Sequence, residues 1–200
     1  MLLEKLKRYS VVLASNSPRR RELLADLGIE FTVRTLKGID ESYPYDLPVL
    51  EIAEYISRKK ARAYQAEMAE DELIITADTV VILGDEVLGK PADADDARRM
   101  LRELSGKTHK VVTGVTIVTA NATRSFSAVT DVEFAPLSDE DIDYYVDNYR
   151  PLDKAGAYGI QEWIGCMGVR HINGSFYNVM GLPLHRLYTE LNQFLTMHNS

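Results

Sequence analysis

The chain is almost free of cysteine: Cys166 is the only one in 200 residues, which excludes an internal disulfide. The absence of a disulfide framework favours a reducing compartment, and we expect a cytoplasmic protein. No stretch approaches the roughly 18 consecutive apolar residues of a membrane-spanning helix. The charged start MLLEKLKRYS also lacks the apolar run of a secretory signal. We therefore expect no membrane partner.

Positive charge is also scarce, because 30 Asp and Glu outnumber 23 Lys and Arg and the net charge is −7. This balance argues against a broad nucleic-acid-binding surface, and we expect no nucleic-acid partner. The sequence contains no GxxxxGK[ST] motif, which excludes a P-loop enzyme. An anionic ligand would need a local cluster of arginine and lysine, with or without a metal ion.

Strand-like and helix-like segments alternate along the chain, which predicts an α/β fold. The predicted strands are Tyr9–Ala14, Glu30–Thr35, Leu73–Ala77, Val80–Leu83, Glu86–Leu88, His109–Thr119 and Arg124–Phe134. The predicted helices run from a cap at Ser17 to Gly28 and over Pro48–Met68, Asp93–Leu104, Ser138–Tyr149 and Pro183–Leu195. No clear linker divides these elements, so we expect a single domain over residues 1–200 with two lobes.

Two arginines open the first predicted helix, in the segment SNSPRR (Ser15–Arg20). Backbone N–H groups at a helix start favour an anion such as phosphate, and guanidinium groups match phosphate oxygens. At about 100° per residue, Arg20 points the same way as the apolar stripe of the helix, toward a ligand at the carboxyl edge of the sheet or into a buried salt bridge. Arg19 is either a ligand-binding residue or surface charge, and we expect Arg21 on the surface.

Carboxylates occur at two places that suit a metal ion or a general base. Asp78 directly follows the apolar run LIITA, where it is a ligand of Mg²⁺ or Mn²⁺, a base that activates water, or a turn residue. Asp40 and Glu41 lie in an irregular loop and offer a second metal ligand, although such a pair is more often surface charge.

Three lysines are candidates for contact with phosphate. Lys90 stands in the turn GKP, which either aims its ammonium at a phosphate or leaves it exposed. Lys59 and Lys60 lie about 50° to either side of the apolar stripe of the second predicted helix, so the helical phase does not choose between them. Lysines that border a core in this way are common in any case.

The segment DKAGAYGIQ (Asp153–Gln161) has features of a site for a flat ligand or of an ordinary glycine-containing turn. Its glycines and alanines leave the backbone accessible to close approach. Tyr158 offers a ring for stacking, and the amide of Gln161 offers both a donor and an acceptor.

Taken together, these motifs resemble the Maf family of nucleoside triphosphate pyrophosphatases. The resemblance spans LASNSPRRRELLADLGIEF, IAEYISRKKARAY, ITADTVVILGDEVLGKP, LSGKTHKVVTGV, DKAGAYGIQ and INGSFYNVMGLP. It implies an α/β fold like that of the inosine triphosphatases, with a mixed twisted sheet, flanking helices and two lobes around a cleft. It also implies a cytoplasmic homodimer that uses a divalent metal cation (Mg²⁺, Mn²⁺ or Co²⁺) to convert a nucleoside triphosphate to the monophosphate and diphosphate. DKAGAYGIQ is similar to the branch that acts on dTTP and UTP in nucleotide-pool house-cleaning.

The resemblance also implies a role for individual residues. The implied substrate-binding residues are Ser15, Arg19 and Arg20 for the triphosphate, with Thr79 and Gln161 for specificity. The implied catalytic residues are Asp78 as proton acceptor, Lys60, Lys90 and Glu41, and the implied metal ligands are Asp78 and Glu41. The motif KARA thereby selects Lys60 over Lys59.

One segment departs from the family pattern. After Gln161 the family commonly has a short glycine-rich stretch, whereas this chain has the bulkier EWIGCMG. Two other functions are left open by the sequence. In the first, an enzyme with the same chemistry acts on other or modified nucleotides such as 7-methyl-GTP. In the second, the chain binds nucleotides without turnover and regulates cell division.

Overall fold

The computed structural model describes residues 1–198. Its strands are β1 (Ser10–Leu13), β2 (Thr32–Val33), β3 (Glu72–Leu83), β4 (Glu86–Leu88), β5 (Thr108–Val118), β6 (Thr123–Phe134) and β7 (Val169–Asn173). Its helices are α1 (Leu2–Leu6), α2 (Pro18–Asp26), α3 (Ile52–Gln65), α4 (Ala94–Leu104), α5 (Asp139–Tyr149), α6 (Trp163–Gly168), α7 (Phe176–Met180) and α8 (Leu184–His198). Short 3-10 turns occupy Val49–Glu51 and Ala155–Ala157.

The strands form a mixed sheet in the order β2-β1-β3-β5-β6-β7, with β4 paired to β3. Strand β1 runs parallel to both β2 and β3, whereas β4 is antiparallel to β3 and β7 is antiparallel to β6. The predicted α/β fold, with a mixed sheet and flanking helices, is therefore confirmed. In the described part of the chain, no helix combines the length and apolar character needed to cross a membrane.

The chain divides into two compact units, and the first contains Met1–Asp78, Thr113–Ala128 and the segment that begins at Gly181. Its core includes a cluster of apolar residues from β1, the residue after it, α3, β3 and β5 (Val12, Ala14, Ala61, Tyr64, Ile74 and Val118). Helix α3 lies directly on β5, because a side chain at Gly114 would collide with the backbone of Ala53 and Glu54. This close approach fixes the helix that carries Lys60.

The second unit contains Thr79–Val112 and Val129–Met180. Its core is built around the inward stripe of α4, at the helical spacing Ala97, Met100, Leu101 and Leu104. Asp93 caps that helix by accepting a hydrogen bond from the N–H of Asp96 at 2.8 Å. A capping box at Ser138 and Asp141 begins α5, which packs against α4. The prediction of one domain with two lobes around a cleft stays a prediction.

Several predicted boundaries were wrong, and some short elements were not predicted. The strand predicted over Glu30–Thr35 is reduced to the two exposed residues of β2, because only Val12 and Leu13 of β1 pair with it. The strands predicted on either side of Asp78 are one continuous β3, since β4 pairs with its second half. Helices α1, α6 and α7 and strand β7 were not predicted, because each is only five or six residues long.

Candidate active site

The start of α2 is built by the serines of the SNSPRR segment. The hydroxyl of Ser17 accepts a hydrogen bond from the N–H of Arg20 at 3.4 Å, and Pro18 occupies the first helical position. The buried Ser15 in turn accepts a hydrogen bond from the N–H of Ser17 at 3.1 Å. The segment therefore places the N-terminus of α2 immediately after β1.

Arg20 is held inward by two backbone carbonyl groups. Its Nε donates to the carbonyl oxygen of Gly181 at 2.8 Å, and its Nη1 donates to that of Ala77 at 3.2 Å. Burial lowers the pKa of Arg20, an effect that the negative charge of Asp78 opposes. Arginine keeps its charge, so Arg20 is a half-buried cation whose position is set by two backbone carbonyl groups. Arg19 is also half-buried, whereas Arg21 is exposed.

Asp78 lies inside β3, not at the end of a strand as the sequence predicted. The strand continues because its second half pairs with β4, from Val81 opposite Leu88. The last pair between β1 and β3 joins Leu13 to Ile75, so Asp78 stands three residues beyond the carboxyl end of its parallel neighbour. Its side chain is 14% exposed.

The ammonium of Lys60 joins two carboxylates. Lys60 Nζ lies 2.8 Å from Asp78 Oδ1 and 3.1 Å from Glu41 Oε1. The side chain of Lys60 is only 15% exposed, and that of Glu41 is 56% exposed. A helix, a strand and a loop of the first unit thus bring together three of the residues that the sequence singled out.

Lys59 contacts a different carboxylate from Lys60, and this distinguishes the two lysines that the helical phase left equivalent. Its Nζ donates to Asp40 Oδ2 at 2.8 Å and to the carbonyl oxygen of Ser42 at 2.7 Å. The hydrogen bond from Lys59 holds the pKa of Asp40 well below its usual range, with further hydrogen bonds from Ser42. Neighbouring lysines of α3 therefore hold neighbouring carboxylates of the loop.

The carboxylate pair has the chemistry of a site for a hard divalent cation. Within residues 1–198, no group of three or more His, Cys, Asp or Glu side chains lies close enough together to form a metal site by itself. Asp78 and Glu41 nevertheless converge on one ammonium group. One or two carboxylates completed by water and substrate phosphates are a usual coordination for Mg²⁺, so these residues fit such an ion.

In the second unit, the GKP turn is tied to the DKAGAYGIQ segment. The N–H of Gly156 donates to the carbonyl oxygen of Gly89 at 3.1 Å, directly before Lys90. Lys90 is exposed, and Thr79 is half-buried on β3.

Gln161 is exposed and lines a cavity of about 570 Å³ in the second unit. The other lining residues are Ile160, Gly165, Cys166, Val169, Arg170, His171, Ile172 and Phe176. The bulky residues of the EWIGCMG departure do not line it. Glu162 instead pairs with Lys154, and Trp163 packs edge-on against Tyr144 with ring centres 4.8 Å apart.

The interpretation of Tyr158 as a stacking residue was wrong. Its side chain is buried in the core, where its ring meets Phe134 edge-on and its hydroxyl lies 2.6 Å from Nε2 of His109. Gly156 is also buried, and a side chain there would press against Val81 at 2.9 Å. Gly156 therefore serves packing against β3, not approach to a flat ligand.

Other contacts at the site carry no local signal in the sequence. The carbonyl groups of Ala77 and Gly181 that hold Arg20 are 57 and 161 residues away along the chain. Tyr145, Lys154 and Glu162 form a polar cluster beside Gln161 that no local pattern predicts. Within each unit, only the order of the strands and helices brings such groups together.

Known proteins resemble this chain over most of its length. A dTTP/UTP pyrophosphatase of Phocaeicola vulgatus is 62% identical over 192 residues, which cover 96% of this chain and 100% of that protein. A dTTP/UTP pyrophosphatase of Bacteroides thetaiotaomicron is 58% identical over the same shares. A solved structure of a HAM1 protein from Coxiella burnetii matches with a TM-score of 0.43 and 18% identity, covering 92% of this chain and 99% of that one.

The family model described as Maf-like protein matches residues 10–194. This range includes the SNSPRR, ADT, GKP and DKAGAYGIQ motifs, and it confirms the resemblance first visible in them. The chain belongs to the Maf family.

Proposed function

We propose that this chain is a metal-dependent nucleoside triphosphate pyrophosphatase that hydrolyses dTTP and UTP to the monophosphate and diphosphate. The observation that carries the proposal is the cluster of Asp78, Lys60 and Glu41 in the same unit as the inward-held Arg20. The names of relatives at 58% and 62% identity support the same chemistry and the pyrimidine substrates.

The triphosphate would bind where α2 begins. Arg20 presents a charge whose position is set by the carbonyl groups of Ala77 and Gly181, so little side-chain freedom is lost on binding. The N-terminus of α2 adds a favourable dipole, and the hydroxyl of Ser15 still has a proton to donate. We assign Arg19 and Lys90 to the same phosphate chain as additional cations.

Hydrolysis requires a base for the attacking water. We assign this role to Asp78: one of its oxygens accepts a hydrogen bond from Lys60, and the other is left to take a proton from water. The resulting hydroxyl oxygen bonds to the α-phosphorus as the bond to the bridging oxygen of the diphosphate breaks. The diphosphate leaves with that electron pair, and Lys60 keeps the carboxylate of Asp78 oriented throughout.

Asp78 and Glu41 are the residues that would hold a divalent cation, Mg²⁺, Mn²⁺ or Co²⁺. Such a cation supplies positive charge that offsets the charge of the phosphates and of the leaving diphosphate. Lys60 between the two carboxylates keeps them from repelling each other before the cation binds.

The base specificity is assigned to Gln161 and Thr79. Uracil and thymine present an acceptor at O4 beside a donor at N3, and one amide group such as that of Gln161 matches both. Cytosine reverses this pattern with its N4 amino group, so CTP should be a poor substrate. The exposed position of Gln161 on a 570 Å³ cavity supports this role.

A substrate screen tests the proposal. The purified protein is assayed against dTTP, UTP, CTP, ATP, GTP and 7-methyl-GTP with each of the three cations, and phosphate and diphosphate are measured separately. We expect diphosphate release, highest with dTTP and UTP. Diphosphate release that is highest with a purine nucleotide would contradict the assignment of pyrimidine substrates. Nucleotide binding without turnover would contradict the assignment as an enzyme.

The assembly and location follow the same proposal. We propose a homodimer, which the family resemblance supports. We also propose a cytoplasmic location, which the single cysteine supports. Sedimentation equilibrium of the purified protein measures its mass directly, and the mass of one 22.5 kDa chain would contradict the dimer.

A further inference from the structure

A chain of buried polar contacts surrounds the backbone of Gln161. The N–H of Gly159 donates to the hydroxyl of Tyr145 at 3.0 Å, and that hydroxyl donates to Glu162 Oε2 at 2.8 Å. Lys154 Nζ completes the chain at 3.0 Å from Glu162 Oε1. Gln161 thus lies between two residues, Gly159 and Glu162, that are both tied to one hydroxyl on α5.

These contacts are shielded from water. Tyr145 is fully buried, and the side chains of Lys154 and Glu162 are 11% and 18% exposed. Burial raises the pKa of Tyr145, so its hydroxyl stays protonated and donates. A largely buried ion pair that is also hydrogen-bonded holds its geometry more strictly than an exposed pair.

The turn that carries Gln161 is closed by a second contact. The N–H of Glu162 donates to the carbonyl oxygen of Gly159 at 3.0 Å. The carboxylate of Glu162 also packs against Gly159 so closely that a side chain at that position would lie 2.7 Å from Oε1. Glycine at 159 and glutamate at 162 therefore form a matched pair, and Glu162 belongs to the EWIGCMG segment in which this chain departs from the family pattern.

We propose that Tyr145 and Glu162 are positioning residues for base specificity, which act by fixing the backbone on both sides of Gln161. This inference rests on the proposed function, because it presupposes that Gln161 reads the base. A side chain that discriminates O4 from N4 by hydrogen bonding must be held within about 0.5 Å. The polar chain from Gly159 to Lys154 supplies that constraint, while Gln161 itself remains exposed toward the cavity.

The central variant is Tyr145→Phe, which removes one hydroxyl and keeps the ring. The change removes the hydrogen bonds of this hydroxyl to Gly159 and to Glu162 together. We expect the ratio of kcat/KM for UTP over CTP to fall about 10-fold, with kcat on UTP changed less than the ratio. Tyr149→Phe is the matched control, because Tyr149 stacks on Tyr145 one turn further along α5 and is partly exposed. It should leave the ratio unchanged.

Glu162→Gln gives an independent measurement if the tyrosine variant folds poorly. Tyr145 and Lys154 contact different oxygens of Glu162, and the amide replaces one of these oxygens with an NH₂ group that cannot accept. We therefore expect the UTP to CTP ratio to fall about 3-fold. Glu103→Gln is its control, since Glu103 pairs with Arg99 on α4 at 2.7 Å. Equal losses on UTP and CTP in both variants would mean a structural role only and would overturn the proposal.

A double-variant cycle distinguishes a failure of this positioning role from a failure of base reading by Gln161, on which the role rests. If Tyr145 acts through Gln161, then Tyr145→Phe should not change the ratio further in a Gln161→Ala background. A full additional 10-fold loss in that background would contradict positioning through Gln161. If Gln161→Ala alone leaves the ratio unchanged, the assignment of base reading fails and the positioning role fails with it.

Discussion

Lys60 and Asp78 meet at 2.8 Å with nearly equal exposure, 15% and 14% of their side chains. One comes from α3 and the other from β3, and α3 is held against the sheet at Gly114. An ion pair shielded to this degree is costly to break from one side, because the remaining charge loses its partner. The two residues therefore depend on each other.

Asp78→Asn should preserve the fold and abolish most of the turnover. The amide keeps an oxygen for Lys60 but cannot accept a proton from water. We expect kcat on UTP to fall on the order of 10² to 10⁴-fold. The control is Asp85→Asn in the exposed turn after β3, which should keep wild-type turnover. Normal turnover in Asp78→Asn would reduce Asp78 to a structural residue of β3.

The adjacent lysines of α3 should differ sharply. Lys60→Ala removes the shared partner of Asp78 and Glu41, and we expect kcat/KM to fall on the order of 10²-fold. Lys59→Ala removes a contact to Asp40, whose side chain is 70% exposed, and we expect a change within about 3-fold. Steady-state kinetics on UTP under saturating Mg²⁺ measure both. Similar losses in the two variants would show that the loop contacts of Lys59 matter as much as the ion pair.

The parts of the fold that the sequence predicted well carry their signals locally. Ser17, Asp93 and Ser138 each cap a helix by accepting a hydrogen bond from the N–H three residues later. The apolar stripe of α4 repeats at helical spacing. Side-chain chemistry close in sequence is enough to specify such elements.

What local patterns predicted wrongly or left open concerns contacts between distant segments. Tyr158 has the same local sequence whether it faces a ligand or the core, and its partner His109 is 49 residues away. Lys59 and Lys60 are equivalent by helical phase, and in the structure they differ by which carboxylate of the loop, Asp40 or Glu41, each one contacts. Periodicity within one element cannot supply either answer.

His109 should make the stability depend on pH. Burial lowers its pKa from 6.5 to about 4, so the unfolded chain binds a proton at pH values where the folded chain does not. Stability is therefore full above pH 6.5 and falls as the pH drops toward 4. We expect a loss of about 2 kcal/mol between pH 7 and pH 5 from this group.

Urea unfolding at the two pH values measures this dependence. His109→Gln should flatten it, even if the variant is less stable at both values. His185→Gln is the control, because His185 is exposed on α8 and should leave the dependence as in the wild type. An unchanged pH dependence in His109→Gln would show that other groups cause the dependence.

Gln161→Ala should change the preference for the base more than the maximal rate. We expect the advantage of UTP over CTP to fall on the order of 10²-fold, because the amide that matches O4 and N3 is lost. The control is Gln65→Ala at the exposed end of α3, which should leave both kinetic constants unchanged. A fall in kcat that is equal for all pyrimidine nucleotides would contradict base reading by Gln161.

Arg20 and its neighbour Arg21 provide the most direct test of the phosphate site, because the same change is made one residue apart on α2. Arg20 is held inward by Gly181 and Ala77, whereas Arg21 is exposed. Arg20→Ala should lower kcat/KM for UTP on the order of 10²-fold, since a charge-assisted contact to phosphate is lost. Arg21→Ala should stay within about 2-fold, as expected of a solvated surface charge. Thermal unfolding of both variants separates lost folding from lost binding. Equal and mild effects at the two positions would show that the inward-held guanidinium serves only to join α2 to β3, and the phosphate would then have to bind elsewhere.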